Sequence, residues 1–327
     1  VIPVKSVTVA ATPRRQVIVS GALCGLRIYS EGVTVVDTDT LRTNDGLKQP
    51  ASDAGFLKGD IIVKVNEKTV NTADEISAEI DRAQNTPLTF TIKRNQETME
   101  LSLSPMFDKN TGTYRTGLWL RDSAAGIGTI TFYDPETMAF GCLGHSVCDV
   151  DTGLAVTVRS GEATTAILQS VQKGGNGKAG ELSGALGQQV LGNILENGEN
   201  GVYGILQNKP AAYGIYPVAN ADEIQVGPAQ VITTVDNSGP KAYSVEIEKV
   251  NTSGSNKDLM IHVVDTALLA QTGGIVQGMS GSPLIQDGKF IGAVTHVFLD
   301  DSSRGYGISA PHMIARADEI CQQQDAA

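Results

Sequence analysis

The chain has 327 residues and a formal net charge of −11, with 41% hydrophobic and 19% charged residues. This balance provides enough apolar material for folded domains and excludes an intrinsically disordered chain. The acidic excess argues against a nucleic-acid partner, because a phosphate-binding surface concentrates Lys and Arg.

Length and glycine content set the expected organisation. The length suits two domains. The 36 glycines, against one tryptophan and seven phenylalanines, predict many turns and hence a mainly β chain. No apolar run of the sequence approaches the length of a membrane span.

The first predicted domain follows an extended lead-in over residues 1–20. Apolar runs at 25–29 and 33–36 predict two short strands. A helix is predicted after Thr72, because Thr72 and Glu75 have the spacing of a capping box. Further strands are predicted at 61–65, 88–92 and 99–103.

Residues 50–66 resemble the signature of bacterial PDZ domains, with small residues, the pattern Gly-x-x-x-Gly-Asp and an alternating strand that ends in Asn. The resemblance places a PDZ domain at 21–105. It implies that an extended peptide is added to a sheet edge, while a glycine-containing loop binds the terminal carboxylate. The corresponding residues are Gly25, Leu26, Arg27 and Ile28. Alternatively, Gly25 merely starts a strand, and the sequence leaves both readings open.

A polar segment at 106–115 is predicted to be a linker, and residues 116–327 form the second domain. The order of elements from 116 onwards is strand, turn, strand and then His145. This order is the one that opens a trypsin-like β-barrel. The glycine-rich run 174–180 fails the P-loop pattern and is interpreted as a mobile loop. A C-terminal helix is predicted to begin at Pro311.

The strongest chemical signal is the run Gly278-Met279-Ser280-Gly281-Ser282-Pro283. A serine between glycines predicts a tight turn that leaves room for a peptide carbonyl. The N–H groups of Gly278 and Ser280 are predicted to form the oxyanion hole. A hairpin follows the run, and its second strand is expected to pair with the substrate through Val294, Thr295 and His296. This combination is typical of trypsin-like serine peptidases.

A serine nucleophile needs a base, and histidine is the side chain suited to this near neutral pH. The sequence contains four histidines. His262 and His312 are expected in structural positions, and His296 is expected to line a subsite. His145 lies at a strand end before a polar turn, and we predict that it is the base.

Several segments together resemble the stage IV sporulation protein B family of PDZ-containing serine peptidases from spore-forming bacteria. They are residues 121–129, 143–145, 149–152 and 274–283. The resemblance implies a PDZ domain followed by a trypsin-like domain of two β-barrels, and it supports His145 as the base. It also implies cleavage of a membrane-protein partner between forespore and mother cell, which leads to processing of a sigma factor precursor.

The sequence identifies the acid that would orient the base less clearly than it identifies the base. The family resemblance implies Asp265, fifteen residues before Ser280. Its position after an apolar strand would allow a shielded carboxylate to hold an imidazole. In chymotrypsin-like folds the acid usually belongs to the first barrel, so Asp149 and Asp151 remain alternatives.

Cys142, His145 and Cys148 have the spacing Cys-x2-His-x2-Cys. A metal site is one interpretation, although zinc sites usually need a fourth ligand. A Cys142–Cys148 disulfide is a second, and two free thiols are the third. Our prediction is that the chain uses no metal or cofactor.

The sequence therefore supports two hypotheses for the function. The first is a serine endopeptidase that cleaves the extracytoplasmic part of a membrane protein and its own N-terminal region. The family resemblance would place it between the forespore and mother cell membranes, with the family's membrane anchor missing from this chain. The second hypothesis is a PDZ scaffold with an inactive peptidase-like domain. A third possibility is a slow or latent enzyme, in which Gly278 and Met279 are misoriented until a partner arrives.

Overall fold

A computed structural model describes residues 14–95, 97–175, 177–251 and 256–325. Most of the elements in these ranges are antiparallel strands. The helices are α1 (Pro50–Asp53), α2 (Ala73–Ala83), α3 (Thr266–Thr272) and α4 (Ala310–Asp325). In the described ranges, no helix combines the length and the apolar character needed to cross a bilayer.

The strands fall into three groups along the chain. The first group is β1 (Gln16–Val19), β2 (Leu23–Thr38), β3 (Leu41–Thr43), β4 (Gly46–Lys48), β5 (Ile61–Val65), β6 (Lys68–Thr69), β7 (Leu88–Arg94), β8 (Glu97–Leu103), β9 (Met106–Asp108) and β10 (Thr113–Arg115). The second is β11 (Leu118–Tyr133), β12 (Ala139–Cys142), β13 (Val158–Gln172), β14 (Glu181–Gly198), β15 (Gly201–Leu206) and β16 (Gly214–Pro217). The third is β17 (Gly227–Thr233), β18 (Lys241–Val250), β19 (Leu259–Val263), β20 (Pro283–Gln286), β21 (Lys289–Val297) and β22 (Arg304–Ser309).

Two closed barrels form the second domain. The first runs in the order β11, β12, β15, β14, β13 and β2, and the β2–β11 pairing closes it. The second runs β17, β18, β19, β22, β21 and β20. Apolar side chains that alternate along the strands fill both interiors, as β-barrels require. A mainly β fold with a trypsin-like double barrel is therefore confirmed.

The PDZ domain is built from the second half of β2, from β5, β7 and β8, and from α2. Thr72 accepts a hydrogen bond from the N–H of Glu75, and the Glu75 side chain returns one, so the predicted capping box is present. Ile76 and Ile80 of α2 pack against Phe90 and other apolar residues of the sheet. The PDZ fold predicted from the sequence is confirmed.

β2 and β11 each belong to both domains. Each strand has sixteen residues and spans about 50 Å at roughly 3.3 Å per residue. The register runs from Leu118 opposite Thr38, in the PDZ domain, to Thr129 opposite Leu23, in the first barrel. The two domains therefore share a continuous two-stranded ribbon.

Two sequence predictions need correction here. The linker expected over 106–115 contains the hairpin β9–β10, in which Phe107 and Tyr114 pack edge to face. The peptide-binding residues expected at Gly25, Leu26, Arg27 and Ile28 lie in the middle of β2, where β11 pairs along one edge and β13 along the other. A strand with both edges paired cannot receive a peptide.

The ends of the chain pack on the barrels. The part of the lead-in that is described forms β1, which pairs with β11 and β16, and residues 1–13 lie outside the described ranges. α4 begins at Ala310, one residue before the predicted Pro311. Its residues Met313, Ile314 and Ala317 are buried in the cluster that contains Phe290 of the second barrel.

Candidate active site

His145 and Ser280 line one cleft of about 600 Å³. His145 comes from the loop that follows β12 of the first barrel, and Ser280 comes from the turn that precedes β20 of the second. Thr295 and His296 of β21 line the same cleft. The structure thus brings together two of the residues that the sequence analysis selected, although 135 positions separate them in the chain (280 − 145).

The turn that carries Ser280 is held by the first barrel. Thr129 donates from its N–H to Ser280 O (3.1 Å) and from its hydroxyl to Gly278 O (2.8 Å). The hydroxyl of Thr131 donates to Gly281 O (2.7 Å). These bonds fix the turn against β11, so the position of the candidate nucleophile depends on both barrels.

The backbone around Ser280 leaves the two predicted oxyanion donors free. Gln277 O accepts from Leu182 N (2.8 Å) and Met279 O accepts from Ser282 N (2.9 Å). In a trans peptide the N–H points opposite to the carbonyl, so the N–H groups of Gly278 and Ser280 point away from these donors. Neither has a protein acceptor among the described residues. Gly278 has a φ of +94°, and a Cβ there would lie 2.9 Å from Leu182 Cβ.

The His145 ring is held in one tautomer. Its Nδ1 lies 2.9 Å from Ser146 O, and since a carbonyl only accepts, Nδ1 carries the proton. Nε2 of the neutral ring is then the acceptor, as a general base requires. Burial lowers the pKa of His145 below its usual 6.5, and the bond to Ser146 opposes this only in part. The ring is therefore neutral at physiological pH.

The candidate pair is not hydrogen-bonded in this arrangement. The Ser280 hydroxyl donates to Thr295 O at 2.8 Å, and the described residues show no bond between Ser280 and His145. The structure therefore shows the candidate nucleophile with its proton held by a backbone carbonyl.

Asp265 is not brought to His145. Its carboxylate caps α3 by accepting from the N–H groups of Ala267 (3.0 Å) and Leu268 (3.1 Å), and it also accepts from Ser244 N (3.1 Å). Burial raises the pKa of Asp265, but these three bonds outweigh burial and the net shift is downward. Asp265 is outside the cleft lining, so its role as the orienting acid stays a prediction.

The two alternative candidates for the orienting acid, Asp149 and Asp151, both form ion pairs with one arginine. Arg121 on β11 binds Asp149 Oδ2 and Asp151 Oδ2, each at 2.7 Å. Asp149 is buried and also accepts from the N–H and hydroxyl of Thr152. Both carboxylates therefore brace the loop that follows His145, and neither is hydrogen-bonded to the imidazole in the described structure.

Asn197 at the end of β14 is a second brace of the His145 loop. Its amide oxygen accepts from Val147 N (2.7 Å), and its amide nitrogen donates to Val147 O and Val156 O, both at 2.8 Å. The two bonds to Val147 fix the chain two residues after His145, and the third ties Asn197 to Val156. Sequence reasoning did not select Asn197, because nothing in the local sequence distinguishes it from any other asparagine beside a glycine.

We expect Asn197→Ala to lower kcat by about 10- to 100-fold with little change in KM, because small misplacements of a catalytic group carry penalties of this size. Steady-state kinetics on a peptide substrate would measure both constants. Asn208→Ala is the matched control, since Asn208 makes one exposed amide bond to Val190 O, away from the cleft. Equal kinetics for both variants would contradict the prediction.

His296 packs against His145, with ring centroids 4.9 Å apart. Its Nδ1 is buried and has no hydrogen-bond partner in the described structure. The pKa of His296 is lowered to about 4, by burial first and then by the neighbouring charge of His145. The His296 ring therefore lines the cleft as an uncharged side chain at neutral pH.

This shift predicts a loss of stability in acid. The unfolded His296 binds its proton near pH 6.5, whereas the folded one does so only near pH 4, so the free energy of unfolding falls as the pH drops between these values. Urea denaturation across this window should show a smaller fall for His296→Gln than for the wild type. Parallel curves for the two proteins would count against this account.

The predicted substrate strand is only partly available. Thr295 and His296 line the cleft, but Val294 is buried, and its N–H and carbonyl are bonded to Ser282 O and Gly281 N. The glycine-rich run 174–180, interpreted from the sequence as a mobile loop, is hydrogen-bonded at both ends. Gly174 N donates to Thr272 O (2.9 Å) and Gly180 O accepts from Gln277 N (2.8 Å), so these two ends support the segment before Ser280.

The four cysteines are free thiols, so the proposed Cys142–Cys148 disulfide is not formed. Cys142 is buried, and burial first and Cys24 second raise the pKa of its thiol, while Cys148 is exposed at the cleft. The described residues contain no group of three or more His, Cys, Asp or Glu side chains placed to hold a metal.

Thr129 and Thr131 are further residues that sequence reasoning missed. Both are fully buried in the apolar part of β11. A buried hydroxyl needs a hydrogen-bond partner, so two threonines spaced by two in a core strand are a usable signal. The partner itself, the serine turn of the other barrel, is not visible in the local pattern.

Comparison with known proteins identifies both domains. The profile of the SpoIVB peptidase S55 family matches residues 112–314, and a PDZ profile matches residues 28–104.

The solved structures that share low similarity with this chain include the following three. The PDZ domain of the SdrC-like protein from Listeria monocytogenes is 21% identical, with 28% of this chain and 87% of that chain covered and a TM-score of 0.22. The Rv3671c protease in its inactive form, from M. tuberculosis, is 14% identical over 59% of this chain and 84% of that chain, with a TM-score of 0.31. The HtrA-type protease AlgW with a decapeptide is 14% identical over 93% and 65%, with a TM-score of 0.36.

The S55 profile alone covers more than half of the chain and includes both His145 and Ser280. The fold agrees with it, since a PDZ domain precedes two closed barrels. The chain therefore belongs to the SpoIVB peptidase S55 family and is a serine peptidase with a PDZ domain.

Proposed function

We propose that this chain is a serine endopeptidase of sporulation signalling, which cleaves the extracytoplasmic part of a membrane-protein partner and its own N-terminal region. Such cleavage would lead to processing of a sigma factor precursor in the space between forespore and mother cell. The proposal rests on family membership. The observation that carries the chemistry is the single cleft lined by His145 and Ser280.

In the proposed mechanism, Ser280 Oγ leaves Thr295 O and donates its proton to Nε2 of His145 as it attacks the scissile carbonyl. The N–H groups of Gly278 and Ser280 bind the resulting oxyanion. The His145 imidazolium then gives the proton to the leaving amine, which completes the acyl-enzyme. Water repeats the sequence, with His145 as base, and releases the acid product and the free Ser280 hydroxyl.

The cleft also suggests the substrate class. The described residues that line the cleft include no Asp, Glu, Lys or Arg. Many of them have aliphatic side chains, for example Leu143, Val276 and Leu299. A charged substrate side chain would lose hydration there without gaining a partner. We therefore propose that the residues bound in this cleft are uncharged and mainly aliphatic.

The orienting acid is proposed as Asp265 on the family resemblance alone, since its carboxylate now caps α3. Asp265→Asn separates the two roles, because Asn is also a good N-cap. We expect a folded variant whose kcat is about 10⁴-fold lower, as when a triad acid is replaced by its amide. An unchanged kcat would assign Asp265 to helix capping only and leave Ser146 O as the group that orients His145.

The second candidate function is a PDZ scaffold with an inactive barrel pair. The bond from Ser280 Oγ to Thr295 O favours it, because a serine held in this way is not activated. Fluorophosphonate labelling followed by intact-mass analysis distinguishes the two. An active peptidase gains one adduct that Ser280→Ala does not gain, whereas a scaffold gains none in either protein.

A further inference from the structure

Two arms of the hairpin β13–β14 contact the segment that precedes Ser280. The first arm is residues 172–174, at the end of β13, and the second arm is residues 180–182, at the start of β14. Both strands belong to the first barrel, whereas the segment 272–278 lies between β19 and β20 of the second. The contact therefore joins the two barrels beside the candidate nucleophile.

Gln277 has both of its backbone groups bonded to the second arm. Its N–H donates to Gly180 O and its carbonyl accepts from Leu182 N, each at 2.8 Å, so positions 181 and 277 form a parallel bridge. Because a trans peptide is planar, the bond from Leu182 N sets the direction of the whole Gln277–Gly278 peptide. The N–H of Gly278, a predicted oxyanion donor, therefore takes its direction from Leu182.

The Gln277–Gly278 peptide has no other restraint of this kind. Among the described residues, Leu182 N is the donor that Gln277 O accepts from. Gly278 has a φ of +94°, in the left-handed region, and a glycine passes between backbone conformations more easily than other residues. The bond from the Thr129 hydroxyl to Gly278 O holds the next peptide and not this one. Without Leu182 N, the peptide could turn over and place its carbonyl where the N–H now points.

Leu182 is itself anchored in the core of the second barrel. Its side chain is 2% exposed and packs in the apolar cluster that contains Val276 and Met279. A Cβ on Gly278 would lie 2.9 Å from Leu182 Cβ, which is closer than real Cβ contacts. The second arm therefore packs directly against the backbone that carries the oxyanion donor.

Gly180 lies where the two arms meet, and a side chain does not fit there. A Cβ at this position would lie 2.3 Å from Gln172 O and from Gly174 N, and backbone atoms cannot rotate away. The first arm is tied to the end of α3 by a bond from Gly174 N to Thr272 O (2.9 Å). A side chain at 180 must therefore displace one of the two arms, and each arm holds part of the segment before Ser280.

We propose that Gly180 is a positioning residue of the oxyanion hole, because it lets the second arm reach Gln277 and thereby keeps the N–H of Gly278 directed towards the cleft. Neither Gly180 nor Leu182 lines the cleft, so both act through Gln277 and not on the substrate. The inference rests on the proposed function, since an oxyanion forms only if Ser280 attacks a carbonyl.

The test compares Gly180→Ala with the matched control Gly187→Ala. Gly187 lies in the same hairpin and is similarly crowded, since its Cβ would lie 2.1 Å from Thr165 Oγ1 and 2.9 Å from Thr165 O. No bond joins Gly187 to the segment 272–278 in the part of the chain that the structure describes. Gly174→Ala is a milder second variant, because its Cβ would lie 3.1 Å from Gly180 N. Thermal denaturation checks that each variant folds.

We expect Gly180→Ala to lower kcat by about 10²- to 10³-fold with little change in KM, as when one oxyanion donor is lost. A peptide aldehyde with aliphatic side chains, which forms a tetrahedral adduct with a serine nucleophile, should lose affinity by a similar factor. Gly174→Ala should show a smaller loss in the same direction, and Gly187→Ala should keep the wild-type kcat. Hydrogen exchange at the Gln277 and Leu182 amides should be at least about 10-fold faster in Gly180→Ala than in Gly187→Ala.

Equal kcat values for Gly180→Ala and Gly187→Ala would overturn the proposal, as would a loss that appears in KM alone. Faster exchange at Gln277 without a loss of kcat would also overturn it, because the hairpin contact would then have no effect on the oxyanion donor. If Gly180→Ala does not fold, Gly174→Ala takes its place with the same criteria. These outcomes, obtained with an active wild type, refute the positioning role alone, whereas an inactive wild type refutes the proposed function as well.

Discussion

Replacing Ser280 with alanine should abolish peptide hydrolysis and self-cleavage, with a loss of kcat of about 10⁴- to 10⁶-fold, as for other serine nucleophiles. The fold should persist, because the side chain makes one hydrogen bond, to Thr295 O, and the loss of such a bond costs about 1 kcal/mol. Intact-mass analysis over time and steady-state kinetics would measure the two effects.

Ser282→Ala is the matched control for this variant. Ser282 belongs to the same turn, but its hydroxyl is buried and donates to Thr233 Oγ1 at 2.9 Å. We expect this control to lose stability and retain hydrolysis. Undiminished cleavage by Ser280→Ala, or equal losses in both variants, would refute the assignment of the nucleophile.

His145→Ala should lose as much activity as Ser280→Ala, and the double variant should lose no more, because a nucleophile without its base is as inactive as a base without its nucleophile. His262→Ala is the control, since His262 faces Glu248 outside the cleft. A double variant that is much slower than either single variant would show that the two residues act independently.

The pH dependence follows from the environment of His145. Burial lowers its pKa, so the neutral base persists to lower pH than an exposed histidine would. The acid limb of kcat/KM should therefore have its midpoint below the usual 6.5 of histidine, with activity falling as the pH drops through the lowered pKa. A midpoint at or above 6.5 would contradict burial as the dominant influence.

The features of the fold that could be predicted from the sequence are those that depend on short local patterns. The capping box of Thr72 and Glu75, the alternation of the barrel strands and the glycine-flanked Ser280 each depend on residues within a few positions of one another. His145 was selected from four histidines by its position at a strand end. Its location in the same cleft as Ser280 agrees with that choice, while the catalytic roles stay predictions.

The errors have a common physical cause. The run Gly25–Ile28 reads as a strand or loop in isolation, but its neighbours β11 and β13 lie about 100 or more positions away, and no periodicity encodes such pairing. The role of Asp265 stays a prediction for a related reason, since an aspartate after an apolar strand fits both a buried acid and a helix N-cap, and α3 begins at the next residue. The sequence does not distinguish these environments.

The two-stranded ribbon of β2 and β11 limits how the chain can be divided. A fragment restricted to the S55 profile, residues 112–314, would lack β2 and leave the edges of β11 and β13 unpaired. A fragment that ends at residue 104 would expose the β2 edge that β11 now covers. Neither domain can therefore be transferred to another protein by itself. A transferred domain would need the strand of the ribbon, β2 or β11, that the other domain contributes.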